Sequence, residues 1–92
     1  MSATTLPAVE FFATGRHDQT LALLVCAGWI WAGLYAGHTT AHPREVSASA
    51  RRTVTTRPGS LQLGDGRYAM SPRSLQRAAR WLSRQGITVR EA

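Results

Sequence analysis

Between Asp18 and His38 run nineteen residues, Gln19 to Gly37 (QTLALLVCAGWIWAGLYAG), without one charged side chain. No other feature constrains the chain as tightly. As an α-helix the stretch would extend roughly 28 Å at about 1.5 Å per residue, close to the ~30 Å hydrocarbon thickness of a bilayer. Its apolar character runs around the whole helical circumference, which a half-exposed surface helix does not tolerate. Asp18 makes a good N-cap and Gly37 a good stop. The expectation is a single transmembrane helix over about 19–37. Two alternatives compete with it. A helix buried in a soluble core would need wrapping by the other 73 residues, which offer little apolar surface. A cleavable signal peptide would need a basic leading region, and here Glu10 and Asp18 outweigh Arg16.

The charge is distributed just as unevenly. All eleven basic residues are arginine, set against five acids, for a net charge of +6. Residues 1–18 hold Arg16 against Glu10 and Asp18, a sum of −1, and residues 38–92 hold ten arginines against Glu45, Asp65 and Glu91, a sum of +7. A mean hydropathy of −0.18 averages away this contrast. Arg44, Arg51, Arg52 and Arg57 lie beyond the uncharged run and only Arg16 before it, so a spanning helix would be oriented with its N-terminus out and its C-terminus on the cytoplasmic side. Cys26 is alone, which excludes an intrachain disulfide, and among apolar neighbours it reads as a packing residue.

Before the run, Leu6 to Ala13 reads as a short interfacial helix within segment 1–18, started by Pro7 and stopped by Gly15. After it, 38–50 (HTTAHPREVSASA) has no period and reads as a linker. From 51 to 92 the pattern is that of a basic α+β module. Arg52–Thr56 is rich in β-branched residues, Pro58-Gly59 is a turn, Ser60–Leu63 alternates, Gly64-Asp65-Gly66 is a second turn, and Arg67–Met70 alternates again. Ser71 then caps a helix that opens on Pro72, runs to Gln85 and stops at Gly86. Ile87–Arg90 returns as a strand. The fold class expected is α+β: a single transmembrane helix followed by a small β-hairpin/α/β C-terminal module.

On the helix of the module, at 100° per residue, Leu75, Ala78, Ala79 and Leu82 share one face, while Arg73, Arg77, Arg80 and Arg84 form a narrow stripe on the other. Such a stripe suits repeated negative charge: anionic lipid headgroups, an acidic protein surface or nucleic-acid phosphates. A plainly solvated face is the bland alternative. The string Ala69-Met70-Ser71-Pro72-Arg73-Ser74-Leu75-Gln76-Arg77 resembles the opening of the second recognition helix in AraC-type regulators over about nine positions. That resemblance would turn Arg73, Ser74 and Arg77 towards DNA. It departs from the family in having a hairpin where the first helix of the motif should be.

Within the uncharged run, Ala22, Cys26, Gly33 and Gly37 align on one helical face, and Gly33 and Gly37 form a GxxxG that permits close docking of another transmembrane helix. Trp29 and Trp31 sit mid-span, where an indole N–H lacks partners in lipid, so they read as packed on a protein or cofactor surface. His38 and His42 are spaced as two metal ligands, but two ligands do not make a site. Neither a nucleophile-base-acid set nor a carboxylate pair is present, so no enzyme, metal or cofactor is expected. The leading functional expectation is a small non-catalytic single-pass membrane protein, an accessory or assembly subunit of a larger membrane complex. The second is a nucleic-acid-binding module, membrane-tethered or soluble, that uses the arginine stripe.

Overall fold

The computed structural model describes residues 6–15, 19–36 and 46–92. They form two four-stranded sheets and one helix. The first sheet is made of β1 (Ala8–Ala13), β2 (Gln19–Cys26), β3 (Trp29–Ala36) and β4 (Val46–Arg51), adjacent in chain order and antiparallel throughout. Residues 19–36 of the uncharged run thus form a β-hairpin. Its arms β2 and β3 pair from Cys26 opposite Trp29 to Gln19 opposite Ala36. The two residues between them have positive φ, 53° at Ala27 and 81° at Gly28, the backbone that a type I′ hairpin turn demands.

Both inner strands are apolar on both faces, and this makes the run look like a helix in one dimension. Leu21, Leu23 and Val25 of β2, with Ile30, Ala32 and Leu34 of β3, point into the core. The intervening Ala22, Leu24, Cys26, Trp29, Trp31, Gly33 and Tyr35 form the opposite face. A strand with a partner on each edge and apolar residues on both sides loses the polar-apolar alternation that would reveal it. Among the described residues no helix is long and apolar enough to cross a membrane. The expected transmembrane helix is overturned. The membrane localisation, the N-out, C-in topology and the single-pass description rested on that helix and fall with it.

Two flanking expectations change as well. Leu6–Ala13 is not an interfacial helix: its residues from Ala8 onward are the edge strand β1, paired with β2 from Ala8 opposite Val25 to Ala13 opposite Thr20. The turn back is fastened where the Thr14 hydroxyl donates to the Gln19 carbonyl at 3.2 Å. The expected linker ends in a strand, because Val46–Ala50 belongs to β4. Small alternating serines and alanines carry almost no hydrophobic period, although Ala48 and Ala50 pack against the core. The remainder of that linker, with His38 and His42, lies outside the described residues, as does Gly37.

The substitution Ala27→Asn separates hairpin from helix. Asparagine tolerates the left-handed backbone better than alanine and would create Asn-Gly, the strongest type I′ pair, so stability should rise by about 0.5–1 kcal/mol. In a helix the same change would cost about 0.5 kcal/mol or more. The direction in which the urea midpoint moves decides between them.

The second sheet comprises β5 (Thr53–Arg57), β6 (Ser60–Leu63), β7 (Gly66–Ala69) and β8 (Thr88–Glu91), in the order β7-β6-β5-β8, with β8 parallel to β5. A parallel edge needs a crossover, supplied by helix α1 (Pro72–Arg84). Ser71 caps it, its Oγ accepting from the Ser74 N–H at 3.3 Å, and Gly86 at φ 82° ends it. Because β7, a strand, leads directly into α1, there is no helix-turn-helix. The resemblance to AraC-type regulators fails structurally, and Ser74 is buried on the inner face of the helix, turned away from solvent.

One cluster of buried side chains runs through all three layers: Leu21, Leu23 and Ile30 of the first sheet, Val54, Leu61 and Leu63 of the second, and Ala78, Trp81 and Leu82 of α1. The chain changes sheets at Arg52, which holds φ 64°, unusual for a residue with a Cβ. That corner is pinned from both sides. The Arg52 N–H donates to the Gly28 carbonyl at 2.8 Å, and the Arg52 carbonyl accepts from the Thr88 N–H at 2.7 Å. The hairpin tip of one sheet and the edge strand of the other are thereby tied to one residue.

Candidate functional site

With the core assigned, three surfaces face outward. On α1, Arg73, Arg77, Arg80 and Arg84 are all exposed. The helix face beneath them is broader than Leu75, Ala78, Ala79 and Leu82, since Ser74 and Trp81 are buried with it. The four arginines sit on the crest between β1 and β8. Arg77 leans one way, its guanidinium 5.4 Å from the centre of the Phe12 ring on β1. Arg80 and Arg84 border a shallow groove against Val89 of β8 on the other side. A larger open groove of about 720 Å³ lies between the start of α1 and the ends of β5 and β8, lined by Arg57, Leu75, Gln76, Ala79 and Glu91 among others.

The second surface is the outer face of the β5–β8 sheet. Leu61, Leu63, Val54 and Tyr68 point inward, so the register places Arg67, Gln62, Thr55 and Arg90 outward in one row across the four strands. Arg57 stands beside that row, its Nε donating to Gln62 Oε1 at 3.0 Å. Thr53, Ser60 and Thr88 complete a polar face without an acid. Sequence reasoning missed this cluster, although simple alternation through Arg57, Gln62 and Arg67 would have placed them together. Since β8 is the edge strand and also borders α1, Arg90 lies on one side of it and Arg80 and Arg84 on the other.

The third surface is the outer face of the β1–β4 sheet, and it is chemically different. Directly paired Ala22 and Gly33 lie at its middle. Phe11 and Tyr35 meet edge to face above them with ring centres 5.8 Å apart. At the hairpin end Trp29 and Trp31 stack at 6.2 Å and 23°, and the Arg51 guanidinium lies 5.7 Å from the centre of the Trp29 ring.

The candidate docking residues are therefore partly brought together, but in a sheet. Ala22, Cys26 and Gly33 do share a face, and Gly37 lies outside the described residues. Ala22 and Gly33 are both buried, and Phe11, the β1 partner of Ala22, meets Tyr35 on the same side of the sheet. Among the described residues no cluster of three or more His, Cys, Asp or Glu side chains could hold a metal. In comparisons with known protein families, curated proteins and solved structures, the chain finds no match.

Proposed function

We propose that this protein is a non-catalytic nucleic-acid-binding module that grips the phosphate backbone with the arginines of α1 and of the outer β5–β8 face. One observation carries the reading. The described residues hold nine arginines, every one exposed, against only Glu10, Asp65 and Glu91, and none of those acids lies on α1 or on the outer β5–β8 face. On a solvated helix an acid three or four residues from an arginine stabilises the helix, and like charges at that spacing destabilise it. Here Arg73, Arg77, Arg80 and Arg84 have no such neighbour on their helix. Arg90 continues the positive field around the edge of β8 to Arg67. Such a field attracts a polyanion, and the planar guanidinium fork binds phosphate oxygens in pairs.

Four phosphate contacts from α1 contribute about −3.6 to the log-log slope of affinity against salt on duplex DNA, at about −0.9 per contact, and contacts from the outer β5–β8 face steepen it further. Arg80→Glu/Arg84→Glu is the cleaner charge reversal, because Arg77 also covers Phe12. It should weaken binding at least about tenfold and flatten the slope by roughly 1.8, two contacts' worth. Fluorescence anisotropy with a labelled oligonucleotide reads both, and circular dichroism checks that the fold is retained. Equal retention on polyglutamate and DNA at the same ionic strength would instead point to an acidic protein surface and overturn the nucleic-acid reading.

A further inference from the structure

We propose that the outer face of the β1–β4 sheet is where a second copy of this chain docks. The opposite face of that sheet is already used by the core, so nothing described in this chain covers the outer one. Among the described residues its exposed large side chains other than Arg51 are apolar: Val9 is 48% exposed, Phe11 41% and Trp29 40%, with Leu24, Trp31 and Tyr35 half-buried beside them, and the exposed polar residues, Ser49 and Arg51, both stand on the edge strand β4. Scattered single hydrophobics need no explanation, but a contiguous face of this kind marks an interaction site.

Charge selects the occupant. Arg51 is the one charged side chain on the face among the described residues, and it stands at a corner, opposite Trp29 on the edge strand. A single-stranded nucleic acid stacked on these rings would bring one negative charge per nucleotide to a surface with one guanidinium, itself already resting on Trp29. A second copy meets no such mismatch. Either two-fold axis lying in the plane of the interface, along the strands or across them, carries a corner residue to a different corner. The two Arg51 side chains are thereby kept apart while the apolar middles meet. The same arrangement leaves the arginines of α1 and of the β5–β8 face on the outside of the pair.

The area is sufficient, though modest. Four strands about 4.8 Å apart and some seven residues at about 3.3 Å each make a face of roughly 19 by 23 Å. Two such corrugated faces remove on the order of 1,000 Å² from water, the lower edge of a specific interface. The dimer is accordingly reversible and concentration-dependent.

Sedimentation equilibrium of the full chain from roughly 1 to 500 µM, the range in which an interface of this size dissociates, tests it. The mass should rise from 10.0 kDa towards double. Val9→Glu, on the exposed edge strand, and Trp29→Glu, at the hairpin end, should each move the midpoint at least tenfold higher with the melting temperature retained. Arg90→Glu, on the other sheet, should leave it unchanged. A constant mass across the range overturns the proposal, as does association that responds to Arg90→Glu and not to Val9→Glu. Protection of Trp29 and Trp31 from acrylamide by an oligothymidylate, at a concentration where the chain is monomeric, would also overturn it by identifying a different occupant.

Discussion

Trp81→Ala should remove between about a fifth and nearly all of the stability of this domain. Trp81 is only 8% exposed and lies where α1 meets the edge of the first sheet. Its ring meets that of Phe12 edge to face with centres 6.0 Å apart, and the Arg77 guanidinium closes over Phe12 in turn. Truncating a buried aromatic to alanine typically costs about 3–5 kcal/mol, because the cavity it leaves is only partly refilled. A chain of this length carries on the order of 5–14 kcal/mol in total. Relaxation is hindered on both sides here, by the hydrogen-bonded β1–β2 pair and by the helix backbone. Urea unfolding followed by circular dichroism should show the loss directly, and Trp81→Phe, which keeps an aromatic edge against Phe12, should cost less than half as much. A loss below about 1 kcal/mol for alanine would mean that α1 does not pack on β1 as described.

The segments that were legible in the sequence and those that were not differ in one physical respect. In β5 to β7 inward residues alternate with outward ones, the turns are written in Pro58-Gly59 and Gly64-Asp65, and Ser71-Pro72 and Gly86 bracket α1, so these elements follow from local chemistry. In β2 and β3 the second face is apolar too, and the alternation disappears into an unbroken run. What remained as a signal was Ala27-Gly28 at the midpoint, with the β-branched and aromatic Val25, Trp29, Ile30 and Trp31 around it. Ala-Gly is a weak turn signature, because alanine resists the positive φ that it adopts here. The match to bilayer thickness is a coincidence of two arms and a turn adding up to the length of a span.

The surfaces followed the same division. The stripe of Arg73, Arg77, Arg80 and Arg84 depends only on helical geometry, and it survives. The arginines of the outer β5–β8 face depend on strand register, and Arg90 reaches them only because β8 returns parallel to β5 by a long-range crossover. The aromatic face of the β1–β4 sheet was hidden behind the helical reading of the same residues. On a helix Ala22 and Gly33 are eleven positions apart, whereas in the hairpin they are direct partners.

Gly64→Ala should be nearly as damaging as the loss of Trp81, for a reason no contact of the native glycine shows. Gly64 opens the turn between β6 and β7 at φ 58°, and a Cβ built there would run into the backbone carbonyl of Ser49 on β4. The turn is thus where the two sheets touch backbone to backbone. Gly59 supplies the control. It has φ 77° in the turn between β5 and β6, but a Cβ there meets nothing within 4 Å. Gly59→Ala should therefore lose only the left-handed penalty, about 1 kcal/mol. Gly64→Ala adds to that penalty an overpacking term of about 1–3 kcal/mol, since a strand backbone cannot rotate away as a side-chain tip can. Equal urea midpoints for the two variants would show that β4 does not lie against this turn. A gap of about 1 kcal/mol or more, with Gly64→Ala the less stable, would locate the junction of the two sheets at Ser49.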